Sequence, residues 1–436
     1  MLVLLRCLFQ FNFNKRCQMA MSTAISEVFV EEEGSKRILT LNRPKALNAL
    51  NLSMVREIYP NLKKWEEAED IKMIILKGAG EKAFCAGGDV LAVIKSAKEA
   101  ASGGTSTIHK DFFREEYKLN HLIGSLSKTF VAFIDGIVMG GGCGLSINGQ
   151  FRVATERTLL AMPETALGLF PDVGGSYFLP RLENNLGLFL ALTGSRLYGA
   201  DALHAGLATH YVASSELEKL QTKLLAMKKV THEAVDEVIR EHKPSQIPGF
   251  SLQEHLPTIK RTFQAKSIEE IMENLRSEDS KWARDQLETL SKMSPTSLKI
   301  TFKQLENGAK MNFDKVFTME YRLTQRCLEN HDFYEGCRAI TNCQIMGDTV
   351  TKTCTKAVAA GGGNLGAGQQ MMMCNAVDLI DIDQTHLTIS GTITTTNVIM
   401  ANWSTQMWQI VLNRALRSLS SGPLRSQFIE ASATLK

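Results

Sequence analysis

The stretch Met162-Pro-Glu-Thr-Ala-Leu-Gly-Leu-Phe-Pro-Asp-Val-Gly-Gly175 sets two carboxylates, Glu164 and Asp172, eight residues apart in a run that is otherwise mostly apolar or glycine. Carboxylates seldom enter such surroundings unless they are paired or do chemical work. Helix capping, or a turn-forming aspartate ahead of Val-Gly-Gly, is the plainer reading of the same residues. Spacing alone leaves both readings open.

Working outward, two glycine-rich turns precede this stretch. Phe84-Cys-Ala-Gly-Gly-Asp89 follows the β-rich run Met73-Ile-Ile-Leu76, and Met139-Gly-Gly-Gly-Cys-Gly144 follows Phe130-Val-Ala-Phe-Ile134. Glycine lets a backbone approach a ligand closely and adopt positive φ. Where such a turn opens a helix, its unpaired N–H groups favour negative charge. Two of them converging would form an oxyanion hole, worth roughly 3–4 kcal/mol per donor; tight strand-to-helix packing is the structural alternative. Neither turn reads as a phosphate loop or a dinucleotide fingerprint.

Further short strands are expected at Arg37–Leu41 and Phe151–Ala154. Between the first two, Leu52, Val55, Ile58, Leu62 and Trp65 recur at helical spacing, with Pro60 expected to break or kink the helix. Strand, turn and helix in repetition indicate an α/β core, assigned to residues 27–212. Residues 213–345 read as helical, with Leu217, Leu220 and Leu224, then Ile268, Ile271 and Leu275, at i, i+3/i+4 spacing, punctuated by Pro295 and Gly336. Residues 346–436 hold few charges, many threonines, a Gly361-Gly-Gly363 tract and Met371-Met-Met373, and read as a poorly ordered low-complexity segment. Alternation from Leu387 to Ile399 would suit a strand or two.

The bulk numbers agree with a globular chain: 44% hydrophobic and 22% charged residues, with 49 basic and 46 acidic side chains mixed along the sequence. No basic block points to nucleic acid, and no apolar run approaches the roughly 20 residues of a membrane span. Nine cysteines without regular spacing argue against a disulfide framework and for a reducing compartment. Cys85 and Cys143 read as small packing residues, and His109, His121, His204 and His210 show no ligand spacing, so no metal is implied. Residues 1–26 carry Arg6, Lys15 and Arg16, no acidic residue, and a Leu- and Phe-rich stretch, which suits a mitochondrial presequence. A secretory signal and an unstructured leader are the rival readings.

Together, Asn42-Arg-Pro-Lys-Ala-Leu-Asn-Ala49, Phe84–Asp89, Asp135-Gly-Ile-Val-Met-Gly-Gly-Gly142 and Met162–Gly175 resemble the crotonase (enoyl-CoA hydratase/isomerase) superfamily, over about Val28 to Ile340. That resemblance implies a core of repeated ββα units with a helical C-terminal region, and it leaves homo-oligomer formation open. It also implies an acyl-CoA substrate, with CoA itself the only cofactor-like group and no metal. Gly88 and Gly141 match the family's oxyanion-hole amides, Lys45, Ala46 and Leu47 with Ala86, Gly87 and Asp89 the CoA-binding segments, and Glu116 a substrate-contacting acid. Glu164 and Asp172 match the carboxylates of the family's hydrolases. Hydratases place one further glutamate at the position of Gly144, and adding water across a double bond wants both. Glycine there disfavours hydration and suits thioester hydrolysis; the resemblance implies a short 3-hydroxyacyl-CoA as the substrate, in the mitochondrial matrix. Another crotonase reaction, or a non-catalytic ribosome- or RNA-associated role, is the alternative. After Asp332-Phe-Tyr-Glu-Gly-Cys-Arg-Ala-Ile340 the family pattern continues with a lysine-bearing segment that helps close the CoA site. Here it gives way to Thr341-Asn-Cys-Gln, a departure that bears on CoA affinity.

Overall fold

A computed structural model describes residues 26–339. The presequence reading, the low-complexity segment and the Leu387–Ile399 alternation lie outside the described residues, apart from Ser26. In chain order the core runs β1 (Val28–Glu33), β2 (Lys36–Leu41), α1 (Leu52–Glu67), β3 (Met73–Gly78), β4 (Ala83–Cys85), α2 (Val90–Ala101), α3 (Ile108–Ser125), β5 (Thr129–Ile134), β6 (Ile137–Met139), α4 (Gly141–Gly144), β7 (Phe151–Ala154) and β8 (Leu159–Ala161). Then come α5 (Gly175–Phe178), α6 (Leu186–Thr193), β9 (Leu197–Tyr198), α7 (Asp201–His204) and β10 (His210–Tyr211). One sheet has the order β1-β2-β3-β5-β7-β10, the other β4-β6-β8-β9. The pairs β3/β4, β5/β6 and β7/β8 each give one strand to each sheet. This is the repeated ββα core, and all pairings are parallel except β1–β2 and β8–β9.

The central strands β3 and β5 are apolar at most positions because both faces of the first sheet are covered. Side chains alternate between the faces. Leu39, Ile74, Leu76, Phe130, Ala132 and Ile134 enter one core, whereas Ile38, Met73, Ile75, Val131, Phe133 and Val153 enter a second. Helices α8 (Leu217–Ala226) and α9 (His232–Arg240) close that second core with Leu220, Leu224, Val235 and Ile239. The remaining helices are α10 (Leu256–Thr262), α11 (Ile268–Glu278), α12 (Lys281–Ser291), α13 (Pro295–Gly308), α14 (Phe313–Glu329) and α15 (331–339). Ser267, Ser280, Ser294 and Asn312 cap α11 to α14 through side-chain bonds to backbone amides.

Two expectations need correction. Pro60 lies within α1 without ending it. Its ring is exposed, while Leu52, Val55, Ile58, Leu62 and Trp65 bury the opposite face. Each contributes roughly 1.5–3 kcal/mol of burial, which outweighs the about 3 kcal/mol that a mid-helix proline costs. Asn61 adds a side-chain bond to the Glu57 carbonyl at 2.8 Å beside the gap in the ladder. Gly336 does not punctuate the helical region but sits inside α15. A Cβ there would lie 2.6 Å from the Leu167 carbonyl carbon, so glycine lets α15 pack directly on the turn that carries Glu164. Pro295 behaves as read, at the first turn of α13.

The loop after β2 is held by one buried asparagine. Asn48, at φ 54°, donates through Nδ2 to the carbonyls of Ala79 (2.9 Å) and Ala83 (2.8 Å) and accepts the Arg43 amide at 2.9 Å. With about 1 kcal/mol per bond, Asn48→Ala should destabilise the protein by about 3 kcal/mol, read as a lower urea midpoint at an unchanged slope.

Candidate active site

The two glycine turns meet. Gly87 and Gly88 follow β4, Gly140 and Gly141 follow β6, and β4 and β6 are parallel neighbours that deliver both turns to one end of the second sheet. A Cβ built on Gly141 would lie 3.1 Å from the Gly88 nitrogen, a close approach that glycine allows without displacement. Gly140, at φ 43°, turns the chain into α4. Among the described residues neither the Gly88 nor the Gly141 N–H has a hydrogen-bond acceptor, although their neighbours do: Asp89 donates to the Leu50 carbonyl and Gly140 to that of Ala161.

Carboxyl groups pack over these amides. A Cβ on Gly140 would come within 2.6 Å of Glu164 Oε1, and one on Gly141 within 2.6 Å of Glu116 Oε1. Glu164 opens a one-turn 3-10 helix, Glu164–Leu167, placed by β8, and Glu116 lies on the inner face of α3. Asp172, in the loop between that turn and α5, accepts the Tyr117 hydroxyl at 2.6 Å. All three are almost fully buried, with exposures of 1% (Glu116), 4% (Glu164) and 4% (Asp172). Burial, then the Asp172 charge, holds Glu164 well above the ordinary carboxylate range. Burial, then Asp172 and Glu164, does the same to Glu116. Burial lifts Asp172 less, to about 6, because the Tyr117 hydroxyl stabilises its ionised form. The cluster therefore holds its first negative charge on Asp172. Glu164 and Glu116 keep their protons to higher pH.

The segments read as CoA-binding run side by side. Ala86 donates to the Leu47 carbonyl at 3.0 Å and Leu50 to that of Gly87 at 2.8 Å. Lys45 and Ala46 are exposed in the 3-10 turn Pro44–Ala46. The Asp89 carboxylate is engaged within the fold: it caps α2 through the Ala92 amide and pairs with Arg43 at 3.0 Å. Cys85 and Cys143 are buried beneath the turns, and burial pushes the Cys85 thiol up to about 12 and Cys143 well above its usual value, so both are protonated packing residues.

Gly144 gives the sharpest reading. A side chain there would meet Val173 Cβ at 2.6 Å and Asn120 Nδ2 at 2.7 Å. There is no room for a glutamate at 144.

Sequence reasoning missed several residues that hold this cluster. Glu320, on α14 and fully buried, accepts the amides of Gly174 and Ser176 at 2.8 Å each and so clamps the loop that carries Asp172. Burial raises its carboxyl to about 8, against the pull of the two amides. Thr324, one turn further on, contacts the Tyr117 hydroxyl at 2.6 Å. A signal existed: Phe317, Glu320, Thr324 and Cys327 share the buried stripe of an amphipathic helix, and a glutamate on such a stripe is an anomaly. Asn120 likewise shares the face of Glu116 on α3, and Tyr117 is buried beside it.

Two interleaved sheets spiralling through ββα units, with paired glycine amides under buried carboxyls, define the crotonase class of acyl-CoA proteins. The chain belongs to the enoyl-CoA hydratase/isomerase family, which matches residues 36–342. It is 54% identical over 327 residues to the mitochondrial 3-hydroxyisobutyryl-CoA hydrolase of Danio rerio, covering 74% of this chain and 84% of that protein. Against the protein of that name from Homo sapiens the identity is 54% over 321 residues, with 73% and 82% covered. Of solved structures, a carnitinyl-CoA dehydratase from Mycobacterium thermoresistibile superposes with a TM-score of 0.67 at 36% identity, covering 72% of this chain and 90% of that one. An enoyl-CoA hydratase from Rhodobacter sphaeroides gives 0.64 at 32% identity, covering 72% and 89%.

Replacing Glu320 by glutamine leaves one of the two loop amides facing an NH2 group that cannot accept. Glu320→Gln should cost about 1–3 kcal/mol and lower the melting temperature, whereas Glu320→Asp, which keeps both acceptors, should cost less.

Proposed function

We propose that this chain hydrolyses a short 3-hydroxyacyl-CoA thioester, foremost 3-hydroxyisobutyryl-CoA, to the free hydroxy acid and CoA, as a step of valine catabolism in the mitochondrial matrix. The observation that carries the reading is the pair of acceptor-free amides, Gly88 and Gly141, in a buried setting with Glu164 packed on the adjoining Gly140. The activity and compartment in the names of its curated relatives support it. So does the crowding at Gly144, which removes the second glutamate that hydration wants.

The thioester oxygen lies between the Gly88 and Gly141 N–H groups, which stabilise the charge that develops there by roughly 3–4 kcal/mol per donor. Glu164 then either attacks the carbonyl carbon, expelling the CoA thiolate and leaving a mixed anhydride for water to cleave, or takes a proton from a water that attacks in its place. Both routes need Glu164 ionised. Asp172 beside it raises its proton affinity and so makes it the stronger base or nucleophile. Glu116 faces the acyl group, and the Lys45–Leu47 and Ala86–Asp89 segments carry the CoA.

Release of free thiol from 3-hydroxyisobutyryl-CoA should fall by at least about a thousandfold in Glu164→Ala, and unchanged release in that variant would sink the assignment. Single turnover in oxygen-18 water tests the anhydride: label in the Glu164 carboxylate arises only when water cleaves an anhydride at the Glu164 carbonyl, so labelled enzyme marks that route. The two natural acyl candidates, 3-hydroxyisobutyryl and 3-hydroxypropionyl, differ by one methyl, worth about 1–3 kcal/mol in a pocket, so their kcat/KM ratio should lie within about 10–200.

The pH profile has a defined sign. Because the Glu164 carboxyl is held above the ordinary range, kcat/KM should rise with pH along a limb displaced to higher pH than a free glutamate's. Asp172→Asn removes the neighbouring charge, so the limb of the residual activity should move to lower pH. A limb that stays in place would show that Asp172 does not tune Glu164.

A further inference from the structure

We infer that Asn120 is a substrate-contacting residue that reads the 3-hydroxyl of the acyl group, an inference that rests on the thioesterase reading above. Asn120 lies on α3 one turn after Glu116, on the same face, and is fully buried. Among the described residues neither Oδ1 nor Nδ2 has a hydrogen-bond partner. A carboxamide carries two donors and two acceptor sites, and a fold rarely buries all of them unmet. Asn48 shows how this chain treats a structural asparagine: equally buried, it uses its oxygen and both amide hydrogens. Asn120 is buried for some other purpose.

Its position says which. Nδ2 stands 2.7 Å from where a Cβ on Gly144 would be, so the amide lies against α4, one turn beyond the Gly141 amide. Glu116 Oε1 and Glu164 Oε2, packed around the same glycine turns, are also buried without partners. Unmet polar atoms from three side chains set along the glycine turn 140–144 mark the groups that a ligand satisfies. Together with Val173, Asn120 fills the space where a hydratase would hold its glutamate.

The chemistry favours a hydroxyl. An alcohol both donates and accepts, and a carboxamide answers it with Oδ1 and Nδ2 at every pH. Asp172 already holds the Tyr117 hydroxyl, and in the reading above Glu164 works at the carbonyl, which leaves Asn120 beside Glu116 for the acyl group. A neutral amide also binds the alcohol without adding a charge beside three buried acids. A site built around such a group rejects substrates that lack the hydroxyl, because the amide then stays unmet.

The test compares thiol release from 3-hydroxyisobutyryl-CoA and isobutyryl-CoA in wild type, Asn120→Leu and Asn120→Asp. Asn120→Leu should lower kcat/KM for the hydroxylated substrate by about 10–100-fold and leave isobutyryl-CoA within about twofold, so that the preference collapses. Its melting temperature should not fall, since an isosteric apolar group replaces an unmet amide. Should Asn120→Leu fail to fold, Asn120→Asp keeps the shape and must still lose most of the preference. A preserved ratio, or an equal loss on both substrates, overturns the inference, the latter pointing to water placement or support. If wild type releases thiol from neither, the thioesterase reading fails instead. The ratio of the two acyl-CoA dissociation constants, wild type against Asn120→Leu, then reads the contact directly.

Discussion

Everything at the centre of this protein depends on how closely two backbone turns approach. Gly87 and Gly88 lie against Gly140 and Gly141 with no side chain between them, and a single Cβ on Gly141 would crowd the Gly88 nitrogen. That contact leaves two N–H groups without acceptors and makes room for carboxyl oxygens directly over the glycines. Both turns follow strands of the second sheet, each three residues long or fewer, with a register shift at Ala83/Cys85.

Packing acids onto this floor has an electrostatic consequence. Three carboxyl groups in one dry place cannot all ionise near neutral pH, since desolvation and mutual repulsion act together. Asp172 takes the charge because Tyr117 donates to it, and the protons stay with Glu116 and Glu164. The Tyr117 hydroxyl and the backbone at Asp172 both favour the charge on Asp172. A base that works at the thioester is poised through its neighbour.

The helical region is a working part of this arrangement. Helix α14 contributes Glu320, which ties down the Gly174 and Ser176 amides, and Thr324, which meets the Tyr117 hydroxyl. Helix α13 donates the Gln304 side chain to the Pro171 carbonyl at 2.6 Å, and Ser294 joins the Thr165 carbonyl to the Asp332 carboxylate. The loop from Glu164 to Ser176 thus has few conformations left, although its own residues are largely glycine, proline and small side chains.

Much of this was legible in the chain alone. Short β-rich runs and glycine placement marked the strands, and the motifs around Gly88, Gly141, Glu164 and Asp172 identified the family and the reaction class. Local order of that kind needs only neighbours in sequence. Pro60 and Gly336 misled because their effects are decided elsewhere: by a buried helix face that outweighs one missing bond, and by a turn some 170 residues away that needs a bare backbone to pack on. Glu320, Tyr117 and Asn120 were passed over for the same reason. Whether a polar side chain on an amphipathic helix caps, solvates or serves a site depends on what distant segment it meets, and that is fixed only when the helices dock on the sheets.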